Sequence, residues 1–129
     1  MAADPRPHGR TVLVVDDEPS LRLLCRVNLE LEGHRVLEAA RVDEATALLD
    51  VETPDVILLD MHLGTGSGLD VLDSIEAREL PVRVVLLSGT SDVPPGVRER
   101  VDRVLGKPFT LEELAAAVAD DPSGRLRGA

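Results

Sequence analysis

Aromatic residues are almost absent from this sequence of 129 residues, which contains one Phe and neither Trp nor Tyr. Proteins that bind single-stranded nucleic acids stack the bases on aromatic side chains, and this sequence offers no such surface. Basic residues are also fewer than acidic ones. The sequence contains 14 Lys and Arg and 24 Asp and Glu, which gives a formal net charge of −10. A chain of this charge repels phosphate backbones and anionic lipid headgroups, so direct binding to nucleic acid or to a membrane is not expected.

Cysteine and long apolar runs are equally limited. The single Cys25 excludes an intrachain disulfide and any zinc site built from several cysteines. No apolar run approaches the roughly 18 residues of a membrane span, and the first ten residues lack the apolar segment of a signal peptide. We therefore expect a cytoplasmic protein. Its length corresponds to one domain, and its 43% apolar and 29% charged residues are typical of a globular one.

Apolar segments separated by helix-length stretches indicate an α/β fold. Three short β-branched runs predict buried strands, and two weaker segments predict further strands: Val12–Val15, Val56–Leu59 and Val82–Leu87, then His34–Glu38 and Arg103–Leu105. This alternation predicts a doubly wound, five-stranded parallel sheet of the flavodoxin-like type, in the order 2-1-3-4-5, with helices on both faces. The domain is expected to cover residues 10–120, with disordered tails at 1–9 and 121–129.

The segments between the strands have helical signatures. The first helix is predicted to start at Pro19 and to end at Gly33, with these side chains facing the sheet: Leu21, Leu24, Leu31, and Val27 or Asn28. The last helix is predicted to begin with a capping box formed by Thr110 and Glu113. Between the fourth and fifth strands, Pro94-Pro95-Gly96 predicts a short or distorted helix.

Polar side chains follow four of the predicted strands. Asp16-Asp17 follow the first strand and Asp60 follows the third. Ser88 follows the fourth strand, and Lys107 follows the fifth. Because the carboxyl ends of parallel strands share one edge of the sheet, these side chains are expected to converge near the switch point between strands one and three. Each alone is explained as a helix cap, a turn residue or a solvated lysine. These separate explanations do not predict one another, so the combination favours a functional site.

Three carboxylates at one edge of a sheet require a compensating charge. At ~4 Å and an effective dielectric constant of ~20, each pair of carboxylates repels by ~4 kcal/mol. A divalent cation relieves this repulsion, and Mg²⁺ accepts carboxylates, a backbone carbonyl and water as ligands. Together with a Lys ammonium and a Ser hydroxyl, such a site suits phosphoryl transfer with a carboxylate as the nucleophile.

The sequence around these residues resembles the receiver domain of two-component response regulators, of the CheY-like single-domain type. The resemblance covers residues 10–120 and is carried by the motifs VLVVDDEP, VILLDMHLGTGSGLDVL, VVLLSGT and LGKPF. It implies that Asp60 is the phosphoacceptor and that Asp17 and Asp60 bind Mg²⁺ directly. It further implies that the backbone carbonyl of His62 is a third ligand and that Asp16 contributes through water.

The resemblance implies a single-domain response regulator in a phosphorelay. A sensor histidine kinase or a histidine phosphotransfer protein would donate the phosphoryl group to Asp60, Ser88 would hydrogen-bond it, and Lys107 would pair with it. The chain would catalyse only its own Mg²⁺-dependent phosphorylation and dephosphorylation, and would otherwise not be an enzyme. The added charge would pull Ser88 inward and change a surface that binds a downstream protein target or forms a homodimer. Since the chain is short for an additional output domain, the signal is expected to pass to another protein.

Two positions depart from the usual receiver pattern. Val104 stands where an aromatic residue is common, and Gly64 stands where Pro is usual, which makes the segment Gly64–Gly68 conformationally permissive. These departures leave open a phosphorylation-independent protein-interaction module as the alternative. A nucleotide-binding interpretation has less support, because the glycines lack the GxGxxG spacing and follow the third strand. Cys25 is interpreted as a small core residue, and His34 is assigned no role.

Overall fold

Helices and strands alternate along the chain. The computed structural model describes residues 9–89 and 93–119, so the two expected tails lie outside the described residues, apart from Gly9. The elements are β1 (Thr11–Val15), α1 (Pro19–Leu31), β2 (Arg35–Ala39), α2 (Val42–Val51), β3 (Val56–Asp60), β4 (His62–Leu63), β5 (Gly66–Ser67), α3 (Gly68–Ala77), β6 (Arg83–Ser88), β7 (Arg103–Gly106) and α4 (Leu111–Ala119). Among the described helices, none combines the length and the apolar character needed to cross a bilayer.

Five strands form one parallel sheet in the order β2-β1-β3-β6-β7. Counted along the chain without the two short strands β4 and β5, this is the predicted order 2-1-3-4-5, which is therefore confirmed. The register aligns the strand ends, because Val15 pairs with Leu59, and Asp60 pairs with Leu87. The side chains that follow β1 and β3 consequently emerge at the same edge of the sheet.

The sheet is buried on both faces, as the continuous apolar runs of its central strands predict. Alternate β1 residues point to opposite faces. One core layer contains Leu13 and Val15, and it is closed by α2 and α3 through Ala45, Leu49, Leu72 and Ile75. The other layer contains Val12 and Val14, and it is closed by α1 and α4 through Cys25, Leu29, Leu114 and Val118. The predicted doubly wound arrangement is confirmed.

The predicted inward face of α1 is wrong. The side chains expected against the sheet are largely exposed: Leu24 at 42%, Val27 at 47% and Leu31 at 80%. Cys25 and Leu29 are buried instead, and Leu21 packs partly against the same core. Because α1 carries apolar side chains on several sides, their spacing fits more than one inward face. The interpretation of Cys25 as a core residue is correct.

The segment between β6 and β7 contains only a short 3₁₀ helix, Arg98–Arg100, within its described residues 93–102. The predicted short or distorted helix is therefore confirmed. Arg100 ties this segment to α3, since its guanidinium contacts the carboxylates of Asp73 and Glu76. The predicted capping box of the last helix is also present, with the Glu113 N–H donating to Thr110 Oγ1 at 3.0 Å and the Thr110 N–H donating to Glu113 Oε1 at 2.8 Å.

The segment after β3 forms a short hairpin, which the sequence did not predict. His62 pairs with Ser67, and Leu63 pairs with Gly66, in the antiparallel β4–β5 ladder. Gly64 begins the turn with φ +63°, in the left-handed region that glycine adopts without a steric penalty. Leu63 is 2% exposed, so the hairpin is anchored in the core layer that also contacts α2 and α3.

Candidate functional site

The carboxyl edge of the sheet brings the three predicted acidic residues together. Asp16 and Asp17 follow β1, and Asp60 is the last residue of β3. One carboxylate oxygen from each residue lies within 4.8 Å of the others. Asp16 and Asp60 are buried, whereas Asp17 is exposed. The acidic cluster therefore opens to solvent on the side of Asp17.

Lys107 is directed into this cluster from the end of β7. Its Nζ donates to Asp16 Oδ2 at 2.7 Å and to Asp60 Oδ2 at 3.4 Å. Burial alone would lower the pKa of Lys107, but the hydrogen bond and the charge of Asp16, together with those of Asp60, raise it overall. Lys107 is consequently a fixed ammonium group beside the carboxylates. The peptide bond between Lys107 and Pro108 is cis.

Asp60 is a desolvated carboxylate with a like charge beside it. Its burial raises its pKa most, and the charge of Asp16 raises it further. Lys107 and the backbone N–H of His62, which lies 3.4 Å from Asp60 Oδ1, oppose this increase only in part. A cation bound at the cluster would favour the ionised form of Asp60, since an opposite charge lowers the pKa of a carboxylate.

Asp16 and Asp17 also have local structural roles. Asp16 Oδ1 accepts a hydrogen bond from the Glu18 N–H at 2.9 Å, at the start of α1, and Asp16 Oδ2 accepts from Lys107. Asp17 Oδ2 accepts from the Gly64 N–H at 3.0 Å, whereas its other oxygen accepts no hydrogen bond from the described part of the chain. Asp17 therefore has an oxygen available for a cation, and both oxygens of Asp16 are already engaged.

Ser88, the last residue of β6, is buried beside β3. The residue before it, Leu87, is the register partner of Asp60. A cavity of about 490 Å³ adjoins it, with this lining: Ser88, Gly89, Val93, Arg98, Val104, Gly106 and Lys107. Val104 lines this cavity, and its small side chain does not fill it. The end of β6 thus has free volume on one side.

The β4–β5 hairpin and the first residue of α3 together contribute three residues to the site. The exposed His62 donates its backbone N–H to Asp60, as described above. Sequence reasoning missed the other two, Gly64 and Gly68. Gly64 donates to Asp17, and a Cβ added at Gly68 would lie 2.2 Å from the carbonyl oxygen of Asp60. The glycines themselves were the available signal, but their spacing does not reveal which groups they approach.

Comparison with known proteins agrees with this geometry. The family model described as the response regulator receiver domain matches residues 12–119. The phosphate regulon transcriptional regulatory protein PhoB of Pseudomonas aeruginosa is 34% identical over 113 residues, which cover 84% of this chain and 49% of the relative. The transcriptional regulatory protein TrcR of Mycobacterium tuberculosis is 36% identical over 120 residues, which cover 91% of this chain and 44% of the relative. The chain thus spans less than half the length of either regulator.

Solved structures give the same result. The receiver domain of NtrX from Brucella abortus matches with a TM-score of 0.76 and 31% identity, over 83% of this chain and 93% of that one. The receiver domain of the Francisella response regulator 1452 matches with a TM-score of 0.77 and 26% identity, over 85% of this chain and 93% of that one. Since the family model covers nearly all of the described residues, the chain belongs to the response regulator receiver domain family of two-component signalling, in which phosphorylation and Mg²⁺ binding are characteristic.

Proposed function

We propose that this chain accepts a phosphoryl group on Asp60 from the phosphohistidine of a sensor histidine kinase or a histidine phosphotransfer protein. The observation that carries the proposal is the cluster of Asp16, Asp17 and Asp60 with the Lys107 ammonium directed into it. In the reaction, a carboxylate oxygen of Asp60 attacks the phosphorus atom. The phosphorus–nitrogen bond breaks, and the imidazole leaves with the electron pair.

The donor atoms of the cluster fit Mg²⁺, which prefers oxygen ligands. Asp17 and Asp60, with the backbone carbonyl of His62, would hold the ion, and Asp16 would act through water because both its oxygens already accept hydrogen bonds. When bound, Mg²⁺ supplies positive charge that offsets the charge of the carboxylates and of the phosphoryl oxygens. Asp60 is thereby kept ionised as the nucleophile.

Lys107 and Ser88 would hold the product. Lys107 Nζ lies 3.4 Å from Asp60 Oδ2, close enough to donate to an oxygen of a phosphoryl group attached there. The Ser88 hydroxyl would donate to another phosphoryl oxygen, since Ser88 is one residue beyond the strand partner of Asp60. The cavity beside Val104 gives Ser88 and Gly89 room to move towards the new charge. This movement would change the surface near β7 that a downstream target or a second copy of the chain binds.

The phosphodonor would approach over α1. A cavity of about 420 Å³ connects this helix to the site, with this lining: Glu18, Leu21, Leu24, Gly89, Lys107, Pro108 and Phe109. Exposed apolar side chains continue along α1 at Leu24, Val27 and Leu31. An exposed apolar surface beside a reactive group is typical of a protein-binding site. The donor would therefore bury this surface while presenting its phosphohistidine to Asp60.

The alternative, a phosphorylation-independent interaction module, has weaker support. Such a module would not need a partly buried lysine paired with two carboxylates, and ion pairs withdrawn from water often stabilise a fold no better than apolar residues of similar volume. The complete set of acidic residues, hydroxyl group and lysine is better explained by phosphoryl transfer in a domain that covers residues 10–120.

Phosphorylation by a small acyl phosphate tests the proposal. The protein is incubated with Mg²⁺ and the acyl phosphate, and its intact mass is measured. We expect the mass to increase by one phosphoryl group in the unsubstituted protein and in Asp70→Asn, a matched control at an exposed α3 position. No increase is expected in Asp60→Asn. Absence of the adduct from the unsubstituted protein, together with absence of Mg²⁺-dependent beryllofluoride binding, would instead support the interaction module.

A further inference from the structure

A single backbone hydrogen bond connects the two loops that surround the acidic cluster. The N–H of Gly64, in the β4–β5 turn, donates to Asp17 Oδ2 at 3.0 Å, although the two residues are 47 positions apart in the sequence. Asp17 is the exposed member of the cluster, whereas Asp16 and Asp60 are buried. The hydrogen bond therefore restrains Asp17, whose side chain has the fewest packing contacts because it is exposed.

Restraining this carboxylate affects its ability to bind a cation. An exposed Asp side chain without such a contact can change rotamer, and a change of rotamer would move its oxygens relative to those of Asp16 and Asp60. With Oδ2 held by the Gly64 N–H, Asp17 remains in the arrangement in which oxygens of all three residues lie within 4.8 Å. Only one oxygen is used for this bond, so the other remains available as a ligand.

The position of the donor is itself well defined. Leu63, directly before Gly64, is 2% exposed and pairs with Gly66 in the hairpin ladder. Gly64 has φ +63°, which orients its N–H and which residues other than glycine adopt with strain. The Gly64 N–H is thus a preorganised donor on an anchored hairpin.

We propose that Gly64 is a positioning residue for the metal site, whose backbone N–H holds the Asp17 carboxylate and thereby increases the affinity for Mg²⁺. The inference rests on the proposed function, since it concerns the same cation. Groups that orient metal ligands typically change metal affinity by about 10- to 100-fold when they are removed. We place the effect of this single hydrogen bond at the lower end, at about tenfold.

Replacing the amide between Leu63 and Gly64 by an ester tests the inference, because it removes the N–H and leaves the side chains unchanged. Mg²⁺ binding is measured by titration calorimetry or by chemical-shift changes of backbone amides. We expect the dissociation constant for Mg²⁺ to rise about tenfold. At saturating Mg²⁺, the rate of phosphorylation by a small acyl phosphate should return to that of the unsubstituted protein, which a general loss of structure would not allow.

One control separates the loss of the hydrogen bond from the effect of an ester in the hairpin. An ester at Thr65 removes an N–H that donates to no group in the described part of the chain, and it should leave Mg²⁺ affinity unchanged.

The outcomes distinguish this inference from the proposed function. If the unsubstituted protein binds Mg²⁺ and the Gly64 ester binds it equally well, the inference is wrong and the proposed function stands. An equal loss of affinity in the Gly64 ester and in the Thr65 ester also overturns the inference, since a general effect of the ester on the hairpin would then be responsible. If the unsubstituted protein binds no Mg²⁺, the proposed function fails and the inference fails with it.

Discussion

At the scale of single residues, the ionised carboxylate of Asp60 lowers the stability of the metal-free protein. The pKa of Asp60 is raised above its ordinary value by burial and by the charge of Asp16, despite the opposing effect of Lys107. A carboxylate with a raised pKa binds a proton more readily in the folded protein than in the unfolded chain. The ionised form of Asp60 is therefore unfavourable to folding at neutral pH, and the proposed role as a nucleophile requires this form.

Asp60→Asn is expected to stabilise the metal-free protein at neutral pH, by on the order of 1 kcal/mol in the free energy of unfolding. The penalty in the unsubstituted protein is fully present above the raised pKa of the folded state. It disappears as the pH falls through that value towards the ordinary 3.8, because the folded protein takes up the proton first. The gain should therefore shrink on acidification. Urea unfolding with chelator at several pH values measures it, and a gain that stays constant or grows at lower pH would contradict the account.

The site residues were predictable from the sequence because backbone topology alone places them. Asp16, Asp60 and Lys107 directly follow strands that the sequence identifies, and parallel strands end at one edge. Hydrogen bonds between residues distant in the sequence were not predictable, because they depend on side-chain rotamers and loop geometry. His34 is an example: it is buried, and its Nδ1 accepts from the Arg10 N–H at 3.0 Å, although the sequence suggested no role for it.

At the scale of elements, the start of α3 is packed directly against the end of β3. Ser67 caps α3 by accepting from the Leu69 N–H at 3.1 Å, and the Gly68 N–H donates to the Met61 carbonyl at 2.8 Å. The absence of a side chain at Gly68 lets the helix approach the Asp60 backbone closely. The position of Asp60 thus depends on the hairpin and helix that follow it.

Gly68→Ala is expected to displace these elements, since the added Cβ would lie 2.2 Å from the Asp60 carbonyl oxygen. We expect a loss of about 1–3 kcal/mol in the free energy of unfolding, as for other overpacked sites, and slower phosphorylation. Gly106→Ala is the matched control, because a Cβ there meets no atom within 4 Å. Urea unfolding measures both variants, and equal stabilities would show that the close packing against Asp60 is unimportant.

Two features of the elements were not predicted from the sequence. One is which face of α1 is exposed, and the other is the β4–β5 hairpin. In α1, leucines on several sides make more than one inward face compatible with the apolar spacing, and only packing against the sheet selects Cys25 and Leu29. The hairpin has two-residue strands, which are too short to produce an alternating pattern. Its formation depends on the burial of Leu63, a tertiary contact.

At the scale of the whole molecule, the alternating sequence pattern determines the fold, and the fold creates an acidic site in an acidic protein. The parallel sheet and the two helical layers follow from five apolar strands separated by helices, which local sequence encodes well. The formal net charge of −10 adds to the local repulsion among the three carboxylates. Binding of a divalent cation should therefore stabilise the whole domain.

Mg²⁺ is expected to raise the unfolding temperature of the unsubstituted protein, because it binds the folded state and not the unfolded chain. At a concentration about tenfold above its dissociation constant, the stabilisation is about 1.4 kcal/mol. Asp17→Ala should lose this response, and Asp70→Ala, which removes an exposed carboxylate from α3, should retain it. Thermal unfolding with and without Mg²⁺ measures the effect, and an equal response in both variants would indicate general screening of charge.

Locating the phosphoryl group tests the central claim most directly. After reaction with a small acyl phosphate and Mg²⁺, the protein is treated with labelled borohydride, which reduces an aspartyl phosphate to an alcohol, and the labelled peptide is sequenced by mass spectrometry. The account predicts a Mg²⁺-dependent label at Asp60 alone. A label at Asp16, at Asp17 or at any other residue, or an unlabelled protein, would contradict it.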